Sequence, residues 1–181
     1  MATRASRRIL PFDRRDHLVT ADLIVQDVHP TLRHEERQAL GSDLQGMLVD
    51  LADLALIGKQ LHWNIQGPHF RSLHLQLDEL IDVWRESSDR VAERAVMLGV
   101  APDGRSQTIA QDSELSPPPA GPLPTLEAVA YLTGALVEVI TRARKRMEQT
   151  AEYDDVTNDL LIEVVGQLEQ QHWMVSVQLR D

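Results

Sequence analysis

The 181-residue chain contains no cysteine. That excludes disulfides, thiolate catalysis and cysteine-ligated zinc or iron–sulfur centres. Any metal bound here is held by His, Asp and Glu. No apolar run approaches the roughly 20 residues needed to span a bilayer. The N-terminus lacks the continuous apolar stretch of a secretory signal, so a cytoplasmic location is expected and no membrane partner. Strand-like alternation is missing beyond the first residues, and there is no internal repeat. What remains is ordinary for a soluble domain, with 43% hydrophobic and 25% charged residues.

Charge is unevenly spread. Arg4, Arg7, Arg8, Arg14 and Arg15 face only Asp13 and Asp16 in the first twenty residues, a net of +3. The chain as a whole carries −10, which leaves −13 for the rest. An acidic body attracts cations and repels nucleic acid, while a basic arm can do the opposite. Residues 1–33, with Pro11 and Pro30 and little periodicity, read as a tail. The simplest role for it is solubility or assembly; DNA binding is the other.

Residues 34–181 read as one helical domain. Leu40, Leu44, Leu48, Leu51, Leu54 and Leu61 fall near a 3.6 period and predict a first helix from about His34 to Ile65. Gly67-Pro68 stops it. A second runs from about Phe70 to Leu98 on Leu73, Leu77, Leu80, Trp84, Val91, Ala95 and Leu98, with Gly99 beyond its end. Residues 100–124 are rich in Pro, Gly and Ser, with room for a short helix over Thr108–Leu115. Thr125 and Glu127 open a third helix to about Glu152, with Leu126, Val129, Leu132, Leu136, Val139 and Ile140 inward. Asp155 or Thr157 caps a fourth, built on Leu160, Leu161, Val164, Val165, Leu168, Trp173 and Val177. The expected class is all-α: a four-helix bundle of ferritin type, with a long crossover between its second and third helices.

The chemistry concentrates between His62 and Glu93. His62, His74, Asp78, Asp89 and Glu93 supply two imidazoles and three carboxylates, a set that suits iron. His74 and Asp78 are an i, i+4 pair, as are Asp89 and Glu93, so each pair shares a helix face. Eleven residues make almost three turns, so Asp78 and Asp89 differ by only roughly 20° about the axis. They are nevertheless about 16 Å apart along it, while metal–ligand bonds are about 2 Å long. One ion cannot be held by both pairs of one helix. Pairing this helix with a second copy, antiparallel about Trp84, sets His74 and Asp78 of one chain against Asp89 and Glu93 of the other. The spacing therefore predicts a site shared across a two-fold dimer, present twice per interface.

These residues resemble a known family. The run Lys59-Gln60-Leu61-His62-Trp63-Asn64-Ile65-Gln66-Gly67-Pro68-His69-Phe70, then His74, Asp78-Glu79-Leu80, Asp89 and Ala92-Glu93-Arg94, is similar to Dps, the DNA-binding protein from starved cells, a miniature ferritin. The five metal positions of that family lie at offsets 0, 12, 16, 27 and 31, which His62, His74, Asp78, Asp89 and Glu93 reproduce. The likeness covers nearly all of the chain beyond the tail. It implies a hollow homododecamer that stores ferric mineral and a ferroxidase that oxidises Fe(II), preferentially with hydrogen peroxide and otherwise with dioxygen, so protecting DNA from oxidative damage. It implies two irons per site. Asp89 and Glu93 anchor the first, with His62 from the neighbouring subunit; His74 and Asp78 hold a weaker second. Trp63 stands where the family has a tryptophan near the site, to intercept a stray oxidising equivalent or to exclude water.

Other residues have plainer readings. Asp82 and Glu86 extend the acidic stripe as a solvated face. Trp63, Trp84 and Trp173 are each the kind of residue that packs. Glu169-Gln170-Gln171-His172 is a Glu-x-x-His, but intra-bundle di-iron proteins use two such motifs; with one copy, Glu169 and His172 read as structural, weak metal binding aside. Asp155 and Asp159 resemble the family's acidic pore segment, or simply favour a helix N-terminus. The competing function is a nucleoid-associated DNA-binding protein with minor iron chemistry. Its arm would be unusual: arginine-based, without lysine, and interspersed with acids.

Overall fold

A computed structural model of the chain describes Ile24, Gln26 and residues 29–180. The five arginines of the tail lie outside the described residues. Helix α1 spans His34–Asn64, α2 Phe70–Met97, α3 Ser106–Asp112, α4 Thr125–Thr150 and α5 Asp155–Ser176, followed by a 3₁₀ turn over Val177–Leu179. The four long helices form a bundle, and the short α3 rides in the crossover between α2 and α4. No described helix is long and apolar enough to cross a membrane.

Leucines at helical spacing on α1 are removed from water together with the stripes of α2, α4 and α5. Leu40, Leu51, Leu54, Leu77, Ile81, Trp84, Leu132, Leu136 and Leu168 all lie in the one core. Trp84 sits at its centre and donates its indole N–H to the buried Gln171 side chain at 2.7 Å. Burial of an indole demands such a partner. Opposite Trp84, Gly58 lets α1 and α2 approach closely. A Cβ built at Gly58 would lie 2.7 Å from Ile81 Cγ1 and 2.9 Å from Trp84 Cζ3.

Two connections set the ends of the bundle. Ile65–Gln66 pairs in parallel with Leu123–Pro124, so the far end of the crossover is stitched to the end of α1. At the other end the base of the tail is pinned: Gln26 N–H donates to Gly99 O and Ala101 N–H to Ile24 O.

Three expectations are corrected. Asp154, not Asp155 or Thr157, caps α5; its carboxylate accepts from Thr157 N–H at 2.9 Å and from the Arg94 guanidinium at 2.5 Å. Burial disfavours that carboxylate's charge, but the bonds from Thr157 and Arg94 outweigh it and hold its pKa below the usual range. Leu126 is 61% exposed, because Thr125, Ala128 and Val129 take the inward positions at the start of α4. Trp173 is also 61% exposed, since Gln171 rather than Trp173 takes the inward position near the end of α5.

Candidate metal centre

The end of α1 and the start of α2 run antiparallel, which brings position 62 beside 74 and position 59 beside 78. His62 Nδ1 bonds His74 O at 3.0 Å, and His74 Nδ1 bonds His62 O at 3.1 Å. A carbonyl oxygen only accepts, so each Nδ1 carries a proton, and the neutral form of each ring has its lone pair on Nε2. Outer-sphere bonds of this kind fix the tautomer of metal-binding histidines. His62 O is also one of the last four carbonyls of α1, which have no partner within the helix; His74 supplies one. The two rings stack with centroids 3.6 Å apart, and Phe70 flanks His74 at 5.0 Å.

Asp78 completes the group. Its Oδ1 lies 3.4 Å from His62 Nδ1. One ligand atom from each of His62, His74 and Asp78 falls within 4.8 Å of the others, and among the described residues no further such group of metal-binding side chains occurs. The carboxylate is held ionised: the hydrogen bond from Lys59 and the charges around it pull its pKa below the usual range, against partial burial.

Asp89 and Glu93 are not part of this group. Both are exposed, further along α2. Asp89 lines an open hollow of about 540 Å³ with Leu48, Arg85, Ser88 and Ala92. Within one chain, His62, His74 and Asp78 thus form one group, and Asp89 and Glu93 stand apart from it. Exposed apolar side chains stand among the charged ones around them. Trp63 is 71% exposed beside His62, with Leu56 two turns earlier on the same face of α1. On α2, Leu75 and Val96 are exposed at seven-residue steps from Asp82 and Asp89, bracketing the acids along one line.

A family model described as a ferritin-like domain matches residues 42–181. The chain is 32% identical over 150 residues to the DNA protection during starvation protein of Mycolicibacterium smegmatis, which spans 83% of this chain and 82% of that one. It is 31% identical over 159 residues to the fine tangled pili major subunit of Haemophilus ducreyi, spanning 88% and 82%. A solved structure of Mycobacterium smegmatis Dps superposes with a TM-score of 0.83 at 30% identity, covering 87% of this chain and 95% of that one. DpsA14 from Streptomyces coelicolor gives 0.85 at 30% identity, covering 89% and 96%.

The chain belongs to the Dps family of ferritin-like proteins.

Within this Dps chain no further cluster of metal-binding side chains lies in the bundle interior among the described residues. Between α2 and α5 it holds Trp84 bonded to Gln171 and Ser87 bonded to Gln167, not carboxylates. Glu169 turns outward and accepts from Arg144 at 2.5 Å, and His172 is only half-buried. Asp82 and Glu86 are exposed, as a solvated face would be. Asp155 and Asp159 are both exposed at the start of α5. His69 takes a left-handed backbone (φ 63°) at the mouth of α2.

Two features of the Dps chain escape a sequence reading. Lys59 reaches Asp78 from the neighbouring helix. Asp50 is buried on α1 and pairs with both Arg142 and Arg146 of α4, at 2.7 and 2.5 Å. Asp50 lies in the stretch of α1 that also carries Met47, Leu51 and Leu54, so a buried acid could be noticed there; its partners, more than ninety positions away, could not.

Proposed function

We propose that this protein is a ferroxidase and iron store whose catalytic sites form only between two subunits. The observation that carries this is the separation within one chain. His62, His74 and Asp78 converge with two imidazole lone pairs available, while Asp89 and Glu93 stand about 16 and about 22 Å beyond Asp78 along α2. A two-fold partner, antiparallel about Trp84, brings its Asp89 and Glu93 to the histidines, and the interface contains two such sites. Exposed Leu56, Trp63, Leu75 and Val96 become its apolar cover.

The substrate is Fe(II), two ions per site. Hard carboxylate oxygens from Asp89 and Glu93 favour the ferric product, and neutral imidazole from His62 completes that position. His74 and Asp78 hold the second ion. Each Fe(II) gives up one electron; the pair reduces one hydrogen peroxide, with two protons, to two waters. Cleaving the O–O bond with two electrons at once releases no hydroxyl radical. Trp63 shields the site from bulk water. The same chemistry protects DNA without touching it, by removing iron and peroxide together, in keeping with an acidic body in the cytoplasm. The ferric product collects inside a hollow dodecamer, and Asp155 and Asp159 attract Fe(II) at its pores. Relatives at about 30% identity are named for DNA protection or solved as Dps proteins, which supports this reading.

The test is anaerobic loading with Fe(II) followed by peroxide, comparing wild type with Asp89→Ala/Glu93→Ala. The double variant should oxidise iron at least a hundredfold more slowly. Equal rates would remove these residues from the site.

A further inference from the structure

Helix α2 carries Arg71, Arg85, Arg90 and Arg94. Arg90 pairs with Glu163 and Arg94 with Asp154, each at 2.5 Å and toward α5. Arg85 turns the other way. It is exposed, lines the hollow beside Asp89, and makes no ion pair among the described residues. It is also the one cation between Asp78 and Asp89. Asp82, three residues earlier, is exposed and equally without an ion pair. Asp89, one turn later, is a metal ligand in the shared site.

The ligands give the register between two copies of α2. The two-fold axis that sets His74 against Glu93 of the partner subunit also sets Asp78 against the partner's Asp89. One turn further in, it sets Asp82 at the height of the partner's Arg85. Phase agrees: Asp82 and Arg85 both fall within the roughly 100° arc of the helix that carries these four ligands. Packed helices lie about 8–10 Å apart, a gap that an arginine and an aspartate side chain bridge together. Without the arginine, the stripes of Asp78, Asp82, Glu86 and Asp89 on two copies would repel. We infer that Asp82 and Arg85 form two symmetric ion pairs across the two-fold interface, which select a second copy of this chain and hold it in the register that completes both metal sites. This rests on the shared site proposed above. The pairs neutralise the middle of the interface without metal, so the dimer forms empty and its sites stand ready for Fe(II).

The test reverses these charges in the full-length protein. Asp82→Arg and Arg85→Asp each bring like charges together twice per interface. Both positions are exposed, so helix content by circular dichroism should not change. Each should raise the concentration at which half the chains associate by about a hundredfold. Light scattering on dilution reads this, and peroxide-driven iron oxidation should fall in step. Asp82→Arg/Arg85→Asp in one chain should recover both to within about twofold. So should an equal mixture of the two single variants reassembled together, where opposite charges meet only across the interface. Single variants that associate like wild type, or a mixture that does not recover, overturn the ion pairs and leave the shared site standing. Recovery in the double variant alone does the same, because it marks a pair within one helix. Unimpaired iron oxidation in Asp89→Ala/Glu93→Ala overturns the shared site itself.

Discussion

His62 and His74 each donate a ring N–H to the other's main-chain carbonyl, at 3.0 and 3.1 Å. The reciprocal pair joins α1 to α2 and sets both imidazoles in the tautomer that exposes Nε2. It uses an otherwise unpaired carbonyl at the end of α1 to do so. Fold and ligand orientation are therefore one arrangement, and the site's dependence on a partner can be tested against it.

Mixing two inactive variants should restore activity. Asp89→Ala/Glu93→Ala keeps the histidine half, and His62→Ala/His74→Ala keeps the acidic half. A mixed dimer has one intact site and one left with Asp78 alone. Random reassembly of equal amounts should recover about a quarter of wild-type ferroxidase sites. Each variant alone, and the two mixed without dissociation, should stay inactive. Rates after mild unfolding and reassembly measure this; no recovery would contradict the shared site.

Asp50 joins α1 to α4 by pairing with both Arg142 and Arg146. Asp50→Ala would leave two largely buried guanidinium groups without their anion. Breaking a buried pair by removing one partner costs about 3–5 kcal/mol. Urea unfolding should show a loss of that order, with peroxide-driven iron oxidation retained wherever the particle still assembles.

Asp43 is half-buried near Arg146 and Lys145. Burial raises its carboxyl pKa from the ordinary 3.8 to about 6, more than the nearby cations lower it. The folded state therefore prefers the protonated acid. Asp43 costs no stability below its unfolded pKa; the penalty grows from there up to about pH 6 and is complete above it. Asp43→Asn should stabilise the protein at pH 8 by about 1 kcal/mol once solvent screening at this half-exposed group is allowed for. The gain should shrink as pH falls through 6 and vanish below about 4. Denaturation midpoints of both proteins at pH 4, 6 and 8 check it.

Gly58 sits where α1 crosses Ile81 and Trp84 too closely for a Cβ. Gly58→Ala should destabilise the fold by about 1–3 kcal/mol through overpacking. It should also weaken Zn(II) binding, because pushing α1 from α2 stretches the reciprocal histidine bonds. Thermal unfolding and calorimetry read the two effects separately.

The long helices were legible because their apolar residues recur at the helical period, and Gly67-Pro68 and Gly99 mark where chain direction changes. Contacts between helices were not. Leu126 and Trp173 were read into the inward stripes of α4 and α5, yet both face out, because Thr125 and Val129 on α4 and Gln171 and Val175 on α5 take the buried positions beside them. Asp154, Asp155 and Thr157 all suit the start of α5. Asp154 takes the cap because Arg94, sixty positions earlier, also holds its carboxylate. Leu56, Leu75 and Val96 carried a signal in their phase: apolar side chains on the faces that also bear Trp63 and the acids.

The sequence by itself determined the candidate ligand types, their spacing and, through helix rise, that no single chain can gather all five candidates on one ion. That follows from geometry along one helix axis, which residue numbers alone specify. Only the tertiary structure decided what stands beside those ligands: Lys59 on Asp78, carbonyls on both histidines, Trp84 and Gln171 where an internal metal centre would sit. Such neighbours depend on the register in which α1 packs against α2 and α5. That register is set by close contacts such as Gly58 against Ile81 and Trp84, and no periodicity within one helix contains it.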